Sequence, residues 1–332
     1  HSDCSESLWH KLLKDPLSLI SICHIGLFAF CAVFAYLICP DSTPYANEQH
    51  LEIAVKKPGF KVSMLQTPNA DTPKVNLFER ILFGKPSQHI SQPIYRTWKQ
   101  GDKQMFELYT GDNPNCGEVI CLPYGSDYRI VQRTYLLGTD RYGRDMLSQL
   151  IVGTRISLSV GLISVLIAIF IGVSLGAVAG YYGGKADNII MWLINVVWSV
   201  PTVLLVVAIT FALGKGFWQV FVAVGLTMWV DIARMVRGQV KSLKEKEFVE
   251  ASKAIGQSNF KIITRQILPN VVGAISVITA SNFATAILQE AGLSFLGLGV
   301  QPPMPSWGSM IKENYGYIIL DAAYMAIIPG IA

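Results

Sequence analysis

Charge is what this sequence has little of. Charged side chains make up 15% of the 332 residues, whereas hydrophobic side chains make up 51%. Soluble domains carry roughly 25% charge, so this deficit excludes an ordinary soluble enzyme and a disordered regulator. The net charge of +4 is spread thinly and forms no basic stripe with interleaved aromatics, which excludes a nucleic-acid partner. The long apolar runs and a mean hydropathy of +0.39 predict a polytopic membrane protein.

Sequence patterns for catalysis and metal binding are also missing. The six cysteines follow no metal-binding or redox spacing, and all five histidines precede residue 90. Each Gly-Lys pair lacks the Ser or Thr that would complete a phosphate-binding loop. We therefore expect no catalytic residue, no metal site and no cofactor, and we expect that the chain is not an enzyme by itself.

A Gly-x-Ser-x-Gly pattern at residues 172–176 suggests a nucleophile but lies in an unsuitable place. A nucleophilic serine needs a strand, a sharp turn and a helix around it, whereas these residues lie in the middle of an apolar run. Gly172, Gly176 and Gly180 recur at four-residue steps. That spacing predicts a flat helix surface in close contact with a neighbouring helix.

Six apolar stretches are long enough, or nearly so, to cross a bilayer core, which takes about 20 residues of helix. The predicted spans run from about Leu17 to Cys39, Ile156 to Tyr182, Ile189 to Leu213, Phe217 to Met235, Val271 to Leu298, and from near Tyr317 to Ala332. Pro201 predicts a kink in the third span. The last stretch is expected to be a truncated span, because a half-span cannot cross lipid.

The first span has a signal peptide as its alternative, since Lys11 and Lys14 precede it. It is too long for the apolar region of a signal peptide, and no cleavage site of small residues stands out near its end. An uncleaved membrane helix is therefore predicted.

Positive charge is concentrated in the short segment between the fourth and fifth spans. Seven Lys and Arg residues lie between Met235 and Asn270. Short cytoplasmic loops are rich in these residues, so this segment is predicted to be cytoplasmic. Counting spans backwards places both termini in the cytoplasm and residues 41–136 outside.

Residues 41–136 have a different character from the spans. Alternating runs at 60–65 and 118–122, separated by Pro, Gly and Asn, predict strands joined by turns. The predicted fold class is an all-α polytopic membrane protein with a β-rich or α+β extracytoplasmic module between spans one and two. The predicted organisation is 1–40 as cytoplasmic N-terminus and first span, 41–136 as inserted module, and 137–332 as a five-span core. Spacing alone leaves open whether Cys116 and Cys121 form a disulfide.

The cytoplasmic loop at 236–270 is predicted to contain two short amphipathic helices that meet at Gly256, with Ser258 capping the second. We call this pair of helices the knob. Its apolar side chains recur at helical spacing: Phe248, Ala251, Ile255, Phe260, Ile263 and Ile267. Water does not satisfy such an exposed apolar face, which favours docking on a protein partner. The alternative is a solvated loop on the lipid headgroups.

The residue order of the knob resembles the signature of permease subunits of ABC importers: Glu-Ala-Ala, three residues, Gly, nine residues, Ile-x-Leu-Pro. In this chain Ser252 replaces the second Ala of the pattern, and Gln266 replaces its Ile. In that family the knob docks into a groove on the ATPase subunit and transmits its ATP-driven movement. The resemblance therefore implies these ATPase-coupling residues: Glu250, Ala251, Ser252, Ile255, Gly256, Phe260, Leu268 and Pro269.

Two further stretches resemble the dipeptide and oligopeptide permeases. Residues 137–145 read L-G-T-D-R-Y-G-R-D, and residues 290–308 read E-A-G-L-S-F-L-G-L-G-V-Q-P-P-M-P-S-W-G. Both are typical of the second permease of a heterodimer. The resemblance covers the first span and residues 137–332, whereas the 41–136 module is longer than the usual connecting loop of the family.

The resemblance implies a six-span ABC importer permease in the bacterial inner membrane, surrounded by lipid. It implies a homologous second permease, two ATPase subunits that hydrolyse ATP, an extracytoplasmic substrate-binding protein and a di- or oligopeptide substrate. Nickel, glutathione and peptide-like antibiotics remain alternative substrates. A membrane receptor that senses through the 41–136 module and a stand-alone secondary transporter are the alternatives from other classes.

Polar side chains within predicted spans are candidates for lining the pathway, because such groups are costly in lipid. Glu290 is expected either to bind the amino terminus of the substrate or to support helix packing. Asn282 and Asn195 are expected either to line the pathway or to form interhelical hydrogen bonds. Asp231 is expected to pair locally with Arg234 on one helix.

Overall fold

A computed structural model describes residues 14–69, 75–111, 117–123, 125–214, 216–320 and 322–332. The chain divides into two compact units. The first comprises His1–Ile156 and Pro303–Ala332, and the second comprises Ser157–Pro302. Lys11 and Cys116 lie outside the described residues. Whether Cys116 pairs with Cys121, which is exposed, is therefore still an open question of the sequence analysis.

The first unit begins with helix α1, Pro16–Ile38, whose first turn is capped by Asp15. Asp15 Oδ2 accepts a hydrogen bond from the Ser18 backbone N–H at 3.1 Å. Two short 3₁₀ turns, Pro44–Ala46 and Leu51–Ile53, follow and lead into the sheet.

An antiparallel sheet of five strands, ordered β4-β3-β2-β1-β5, occupies most of residues 60–135. Its strands are β1 Phe60–Pro68, β2 His89–Gln100, β3 Lys103–Leu108, β4 Val119–Pro123 and β5 Arg129–Tyr135. A short helix, α2 Leu77–Phe83, lies between β1 and β2. Both alternating runs identified in the sequence lie in this sheet, because alternation places one face of each strand against the core.

Helix α3, Met146–Tyr182, starts ten residues before the predicted span because Asp145 caps it. Asp145 Oδ2 accepts from the Ser148 backbone N–H at 3.1 Å. Gly143 forms the preceding turn with φ +71°, and a Cβ there would lie 1.8 Å from the His50 carbonyl oxygen. Glycine is therefore required at this turn.

The first unit ends with α10, Trp307–Asn314, a 3₁₀ turn Tyr315–Ile318 and α11, Tyr324–Ile331. The sequence predicts a continuous helix from near Tyr317, and this is wrong. The helix begins seven residues later, and it is only eight residues long.

The second unit contains the rest of α3 and the helices α4 Gly184–Trp198, α5 Thr202–Leu213 and α6 Phe217–Lys244. After the knob helices α7 Glu247–Ala254 and α8 Asn259–Ile262, a π-helical turn at Ile263–Ile267 leads into α9, Leu268–Phe295. A continuous apolar core joins these helices.

Gly172, Gly176 and Gly180 confirm the predicted close contact between helices. A Cβ at these positions would approach backbone oxygens of α6 at 2.7, 2.5 and 2.7 Å, respectively. These oxygens belong to Trp229, Ala233 and Arg237. Any larger side chain would therefore separate α3 from α6.

The third predicted span is not one kinked helix. Its two halves, α4 and α5, are bent by 92° at a break before Thr202. Pro201 lacks a backbone donor and disfavours helical geometry in the residue before it, so the first helix ends at Trp198.

The helices that contain the fourth and fifth predicted spans extend beyond the predicted limits. Helix α6 continues to Lys244, because its Lys and Arg residues are good helix formers. The fifth span does not begin at Val271, since helical structure runs unbroken from Asn259 to Phe295. The π turn shifts the hydrogen-bond ladder just before Pro269, which lacks an N–H, and the helix continues through it.

In the described residues, four helices are long and apolar enough to cross a membrane. They are Pro16–Ile38, Met146–Tyr182, Phe217–Lys244 and Asn259–Phe295, and the bent pair α4–α5 would make a fifth if counted as one span.

Candidate functional site

The knob is built around the C-terminus of α7. Gly256 has φ +79°, and its backbone N–H donates to the Lys253 carbonyl at 2.9 Å. The next N–H, of Gln257, donates to the Ser252 carbonyl at 3.1 Å. This pair of bonds is a Schellman motif, which ends a helix with a left-handed residue that is usually glycine. The predicted break at Gly256 is confirmed.

The second knob helix starts after Ser258, whose extended backbone suits the N-cap position. Its side chain makes no capping hydrogen bond, so the predicted capping by the Ser258 hydroxyl is wrong. The backbone conformation alone makes the turn between the two helices.

Apolar side chains of the knob project outward. Ile255 is 79% exposed, Phe260 is 76% exposed and Phe248 is 40% exposed. Glu250 and Ala251, which lie on α7 with Phe248, are also exposed. Such a concentration of exposed apolar groups marks an interaction surface.

The opposite side of the knob packs inward. Val249 and Ile262 are fully buried, and Ser252 is 6% exposed. The Ser252 hydroxyl donates to the Phe248 carbonyl at 2.9 Å, so it satisfies its own helix. Ser252 therefore lies on the packed face rather than beside Ile255 and Phe260.

Leu268 and Pro269 lie beyond the knob, at the start of α9. Leu268 is half-buried and packs on the core of the second unit, whereas Pro269 is exposed. The structure thus places the predicted coupling residues in three settings: an exposed group on the knob, Ser252 on its packed face, and Leu268 and Pro269 at the start of α9.

A tyrosine at the end of α3 holds the knob in place, and the sequence analysis missed it. The Tyr181 hydroxyl donates to Asn259 Oδ1, the first residue of α8, at 2.9 Å. The ammonium groups of Lys244 and Lys253 lie 5.8 and 5.9 Å from the Tyr181 ring centroid. Tyr181 therefore contacts residues on both sides of the knob. No local pattern could have linked two residues that are 78 positions apart.

A second polar link joins α4 to α6. Arg237 and Asp187 form a two-point ion pair, in which Arg237 Nη2 lies 2.7 Å from Asp187 Oδ2 and the Arg237 Nε–Asp187 Oδ1 contact is also made. Two parallel bonds of this kind fix the orientation of both groups.

A cavity of about 210 Å³ lies within the second unit. It is lined by residues of α4, α5, α6 and α9, among them Trp198, Thr202, Asp231 and Asn282. Asn282 is buried, and its amide donates to the Met228 carbonyl at 3.5 Å. The structure thus places Asn282 in the cavity and also against a neighbouring helix.

The other two predicted pathway residues do not line this cavity. Asn195 is exposed on α4. Glu290 is fully buried, and its Oε1 accepts from the Ser294 hydroxyl at 2.6 Å. That bond favours the packing alternative for Glu290 over substrate binding.

Asp231 does not pair with Arg234 as the sequence predicts. The Arg234 guanidinium lies over the Trp198 ring, 3.6 Å from its centroid, which draws the side chain towards α4. Asp231 is exposed and lines the cavity. An aromatic face on the neighbouring helix therefore outcompetes the local ion pair.

The L-G-T-D-R-Y-G-R-D stretch forms a buried charge cluster in the first unit. Arg144 Nε donates to Asp140 Oδ2 at 2.6 Å, and Arg144 Nη2 donates to Glu313 Oε2 at 2.7 Å. Burial alone would lower the pKa of Arg144, but the two carboxylates outweigh it and raise that pKa. The stretch thus stabilises the fold of this unit.

Part of this chain is similar to proteins of known families. Residues 168–331 match the family described as binding-protein-dependent transport system inner membrane component. The chain is 42% identical over 196 residues to a glutathione transport system permease protein of Pectobacterium atrosepticum, covering 59% of this chain and 65% of the relative.

Two relatives from Bacillus subtilis are similar over a comparable range. A dipeptide transport system permease protein is 44% identical, covering 55% of this chain and 57% of its own length. An oligopeptide transport system permease protein is 39% identical, and the match covers 55% of this chain and 60% of that protein. The chain therefore spans less than two thirds of the length of these relatives.

A solved structure of inward-facing conformations of the MetNI methionine ABC transporter also aligns. The identity is 22%, the TM-score is 0.46, and the alignment covers 54% of this chain and 86% of the other. Residues 168–331 of this chain thus match the family of binding-protein-dependent inner membrane components, and the proteins to which the chain is similar include dipeptide, oligopeptide and glutathione permeases.

Proposed function

We propose that this chain is a permease subunit of an ATP-driven bacterial importer for di- or oligopeptides. The observation that carries the proposal is the exposed apolar face of the knob, whose two helices meet at Gly256. The match of residues 168–331 to binding-protein-dependent inner membrane components supports it. Relatives named for dipeptide and oligopeptide transport support the substrate class.

The proposed partners follow from the architecture of such importers. A homologous second permease completes the pathway, two ATPase subunits dock on the knobs, and an extracytoplasmic binding protein delivers the peptide. The chain itself is proposed to be non-catalytic, with ATP hydrolysis carried out by the ATPase subunits.

The proposed topology has six spans, with the predicted domain boundaries 1–40, 41–136 and 137–332. Both termini and the knob lie on the cytoplasmic side, and the five-stranded sheet lies outside, between spans one and two. The positive charge at 236–270 and the long helices on either side of the sheet support this arrangement.

In the proposed mechanism, ATP binding closes the ATPase pair and pushes on the knob. The exposed coupling residues Glu250, Ala251, Ile255 and Phe260 form the contact. Gly256 sets the angle between the two knob helices, and Ser252 holds α7 from its packed side. Leu268 and Pro269 carry the movement into α9, so that the spans rock between inward-open and outward-open states.

Glutathione is the second candidate substrate, because one relative at 42% identity is named for glutathione transport. Glutathione is itself a short peptide-like molecule, and uptake assays separate the two candidates. Complete importer in proteoliposomes should accumulate labelled dipeptide in an ATP-dependent way, and unlabelled glutathione should compete only if the site accepts both.

Co-purification tests the proposal directly. The tagged full-length chain, solubilised gently from native membranes, should bring down an ATPase with a phosphate-binding loop. Replacing Ile255 and Phe260 with Asp should prevent co-purification of that ATPase. As a control, Thr264→Ser, on the same helical run as Phe260, should retain it. Recovery of no ATPase, under conditions that keep a known importer intact, would refute the proposal.

A further inference from the structure

The cavity of the second unit is lined by many side chains that can form hydrogen bonds. Its lining includes these polar residues: Thr202, Thr227, Asp231, Ser281, Asn282, Thr285 and Gln289. Polar groups at membrane depth are costly unless they face a cavity or one another, so a cavity lined by so many of them is suited to a polar ligand.

Three of the hydroxyl and amide groups there already donate to helix carbonyls. The Thr227 hydroxyl donates to the Val224 carbonyl at 2.8 Å, and the Thr285 hydroxyl donates to the Ser281 carbonyl at 3.0 Å. The Asn282 amide group donates to Met228. The Thr227 and Thr285 hydroxyls can therefore still accept a hydrogen bond from a ligand through their oxygen lone pairs, and so can the side-chain oxygen of Asn282.

Two further acceptors have no donor among the residues that the structure describes. Gln289 Oε1 is buried and unpaired there. Asp231 is the charged side chain among the lining residues, and it makes neither an ion pair nor a side-chain hydrogen bond in that part of the chain. Its neighbour Arg234 is occupied by the Trp198 ring.

We infer that this cavity binds the protonated amino group of the transported substrate, with Asp231 as its counter-charge. An ammonium group carries one positive charge and three donors, so it suits the unpaired Asp231 carboxylate and the acceptor oxygens beside it, Gln289 Oε1 among them. A metal ion fits less well, since the described residues contain no group of three carboxylate, histidine or cysteine ligands. The inference rests on the proposed peptide import, because a peptide supplies the amino group.

Cysteine labelling tests the charge of the cavity without depending on transport. Ser281→Cys is introduced into the full chain after its native cysteines are replaced by serine, and the complete importer is used. Its rate of reaction with a trimethylammonium methanethiosulfonate is compared with that of a sulfonate reagent of similar size. The cationic reagent should react about tenfold faster relative to its intrinsic rate, because of the attraction of Asp231.

Asp231→Asn should remove this preference, and Asp102→Asn should keep it. Asp102→Asn loses the same charge, but Asp102 lies on the β2–β3 turn of the first unit and is not among the lining residues. A dipeptide with a free amino group should slow labelling when Asp231 is present, whereas its N-acetylated form should not. An unchanged preference in Asp231→Asn, equal protection by both peptides, or no reaction at Ser281→Cys would overturn the inference.

Peptide uptake in the same proteoliposomes separates this inference from the proposed function. Asp231→Asn should reduce ATP-dependent uptake at least tenfold, and Asp231→Glu should recover part of it. Uptake that is unchanged in Asp231→Asn would refute the amino-group site. If the wild-type importer takes up no peptide at all, the proposed function fails, and the labelling preference still decides whether Asp231 makes the cavity selective for cations.

Discussion

At the scale of single residues, Gly256 is the knob position whose backbone conformation most restricts which amino acid can replace it. Its φ of +79° lies in the left-handed region, and a Cβ there would meet no atom within 4 Å. A substitution therefore acts through the backbone and not through a clash. β-branched residues are strained in this region, whereas Asn tolerates it.

Gly256→Val should uncouple ATP hydrolysis from uptake, because strain of about 1–3 kcal/mol would be relieved by reorienting the knob helices. Gly256→Asn should stay close to wild type. ATP hydrolysis and peptide uptake, measured together in proteoliposomes, give the coupling ratio for each variant. Wild-type uptake by Gly256→Val would contradict the role given to this glycine.

Glu48, between the two 3₁₀ turns of the first unit, makes stability depend on pH. Its Oε2 lies 2.7 Å from Arg133 Nη1, and its Oε1 lies 3.4 Å from His50 Nε2. Burial alone would raise the pKa of this carboxyl. The His50 imidazole and the Arg133 guanidinium outweigh it and lower the pKa to about 2, from 4.5.

Because the pKa of Glu48 is lower in the folded state, its contribution is complete above pH 4.5 and is lost as the pH falls towards 2. It amounts to about 3 kcal/mol at neutral pH. The hydrogen-exchange protection factors of β1 and β5 amides in the full chain, which correct for the intrinsic pH dependence of exchange, should therefore fall between pH 4.5 and 3. Glu48→Gln should flatten that dependence, and an equally steep dependence in Glu48→Gln would refute the assignment.

At the scale of elements, the Tyr181–Asn259 hydrogen bond connects the end of α3 to the start of α8. If the knob transmits movement, this bond makes the end of α3 move together with α8. Tyr181→Phe keeps the ring and its contacts with the two lysines but removes the donor. A net loss of about 1 kcal/mol is expected for one such bond.

A double-mutant cycle isolates this element contact. Tyr181→Phe and Asn259→Ala should each reduce the coupling ratio several-fold, and the double variant should lose little more than either one. Tyr182→Phe, at the exposed neighbouring position, serves as the control. Additive losses in the double variant would show that the two side chains act separately.

Sequence predicted the elements whose determinants are local and missed those set by packing. Gly256 and the apolar spacing around it identify the knob, and the glycines at four-residue steps identify the α3–α6 contact. Pro201 indicates where a helix stops but not that the next one leaves at 92°, since that angle depends on how α4 and α5 pack on α6.

The same limit explains the misplaced side chains. Helical spacing brings Asp231 near Arg234, but only the fold brings the Trp198 ring to Arg234. Ser252 and Ile255 are close in sequence, yet the packing of Val249 and Ile262 decides which of them faces outward. The sequence does not predict the unbroken helical run from Asn259 into α9, because the π turn before Leu268 has no recognisable sequence pattern.

At the scale of the whole molecule, sidedness is the property on which the proposed function depends. The knob must face the ATPase subunits in the cytoplasm, and the sheet must then face the opposite side. Seven Lys and Arg residues between Met235 and Asn270 favour the cytoplasm for the knob, because short basic loops are retained there. Residues 41–136 are too long a segment for their own charges to decide their orientation.

Paired cysteines measure this sidedness within one experiment. In a full chain whose native cysteines are replaced by serine, Asp127→Cys in the segment before β5 and Ser258→Cys in the knob place one exposed thiol in each region. In intact spheroplasts, a membrane-impermeant maleimide should label only Asp127→Cys. Labelling of Ser258→Cys should require permeabilised membranes, where both variants react. If Ser258→Cys were labelled in intact cells, the knob would lie outside, where no ATP-hydrolysing partner could reach it, and the coupling mechanism would fail with it.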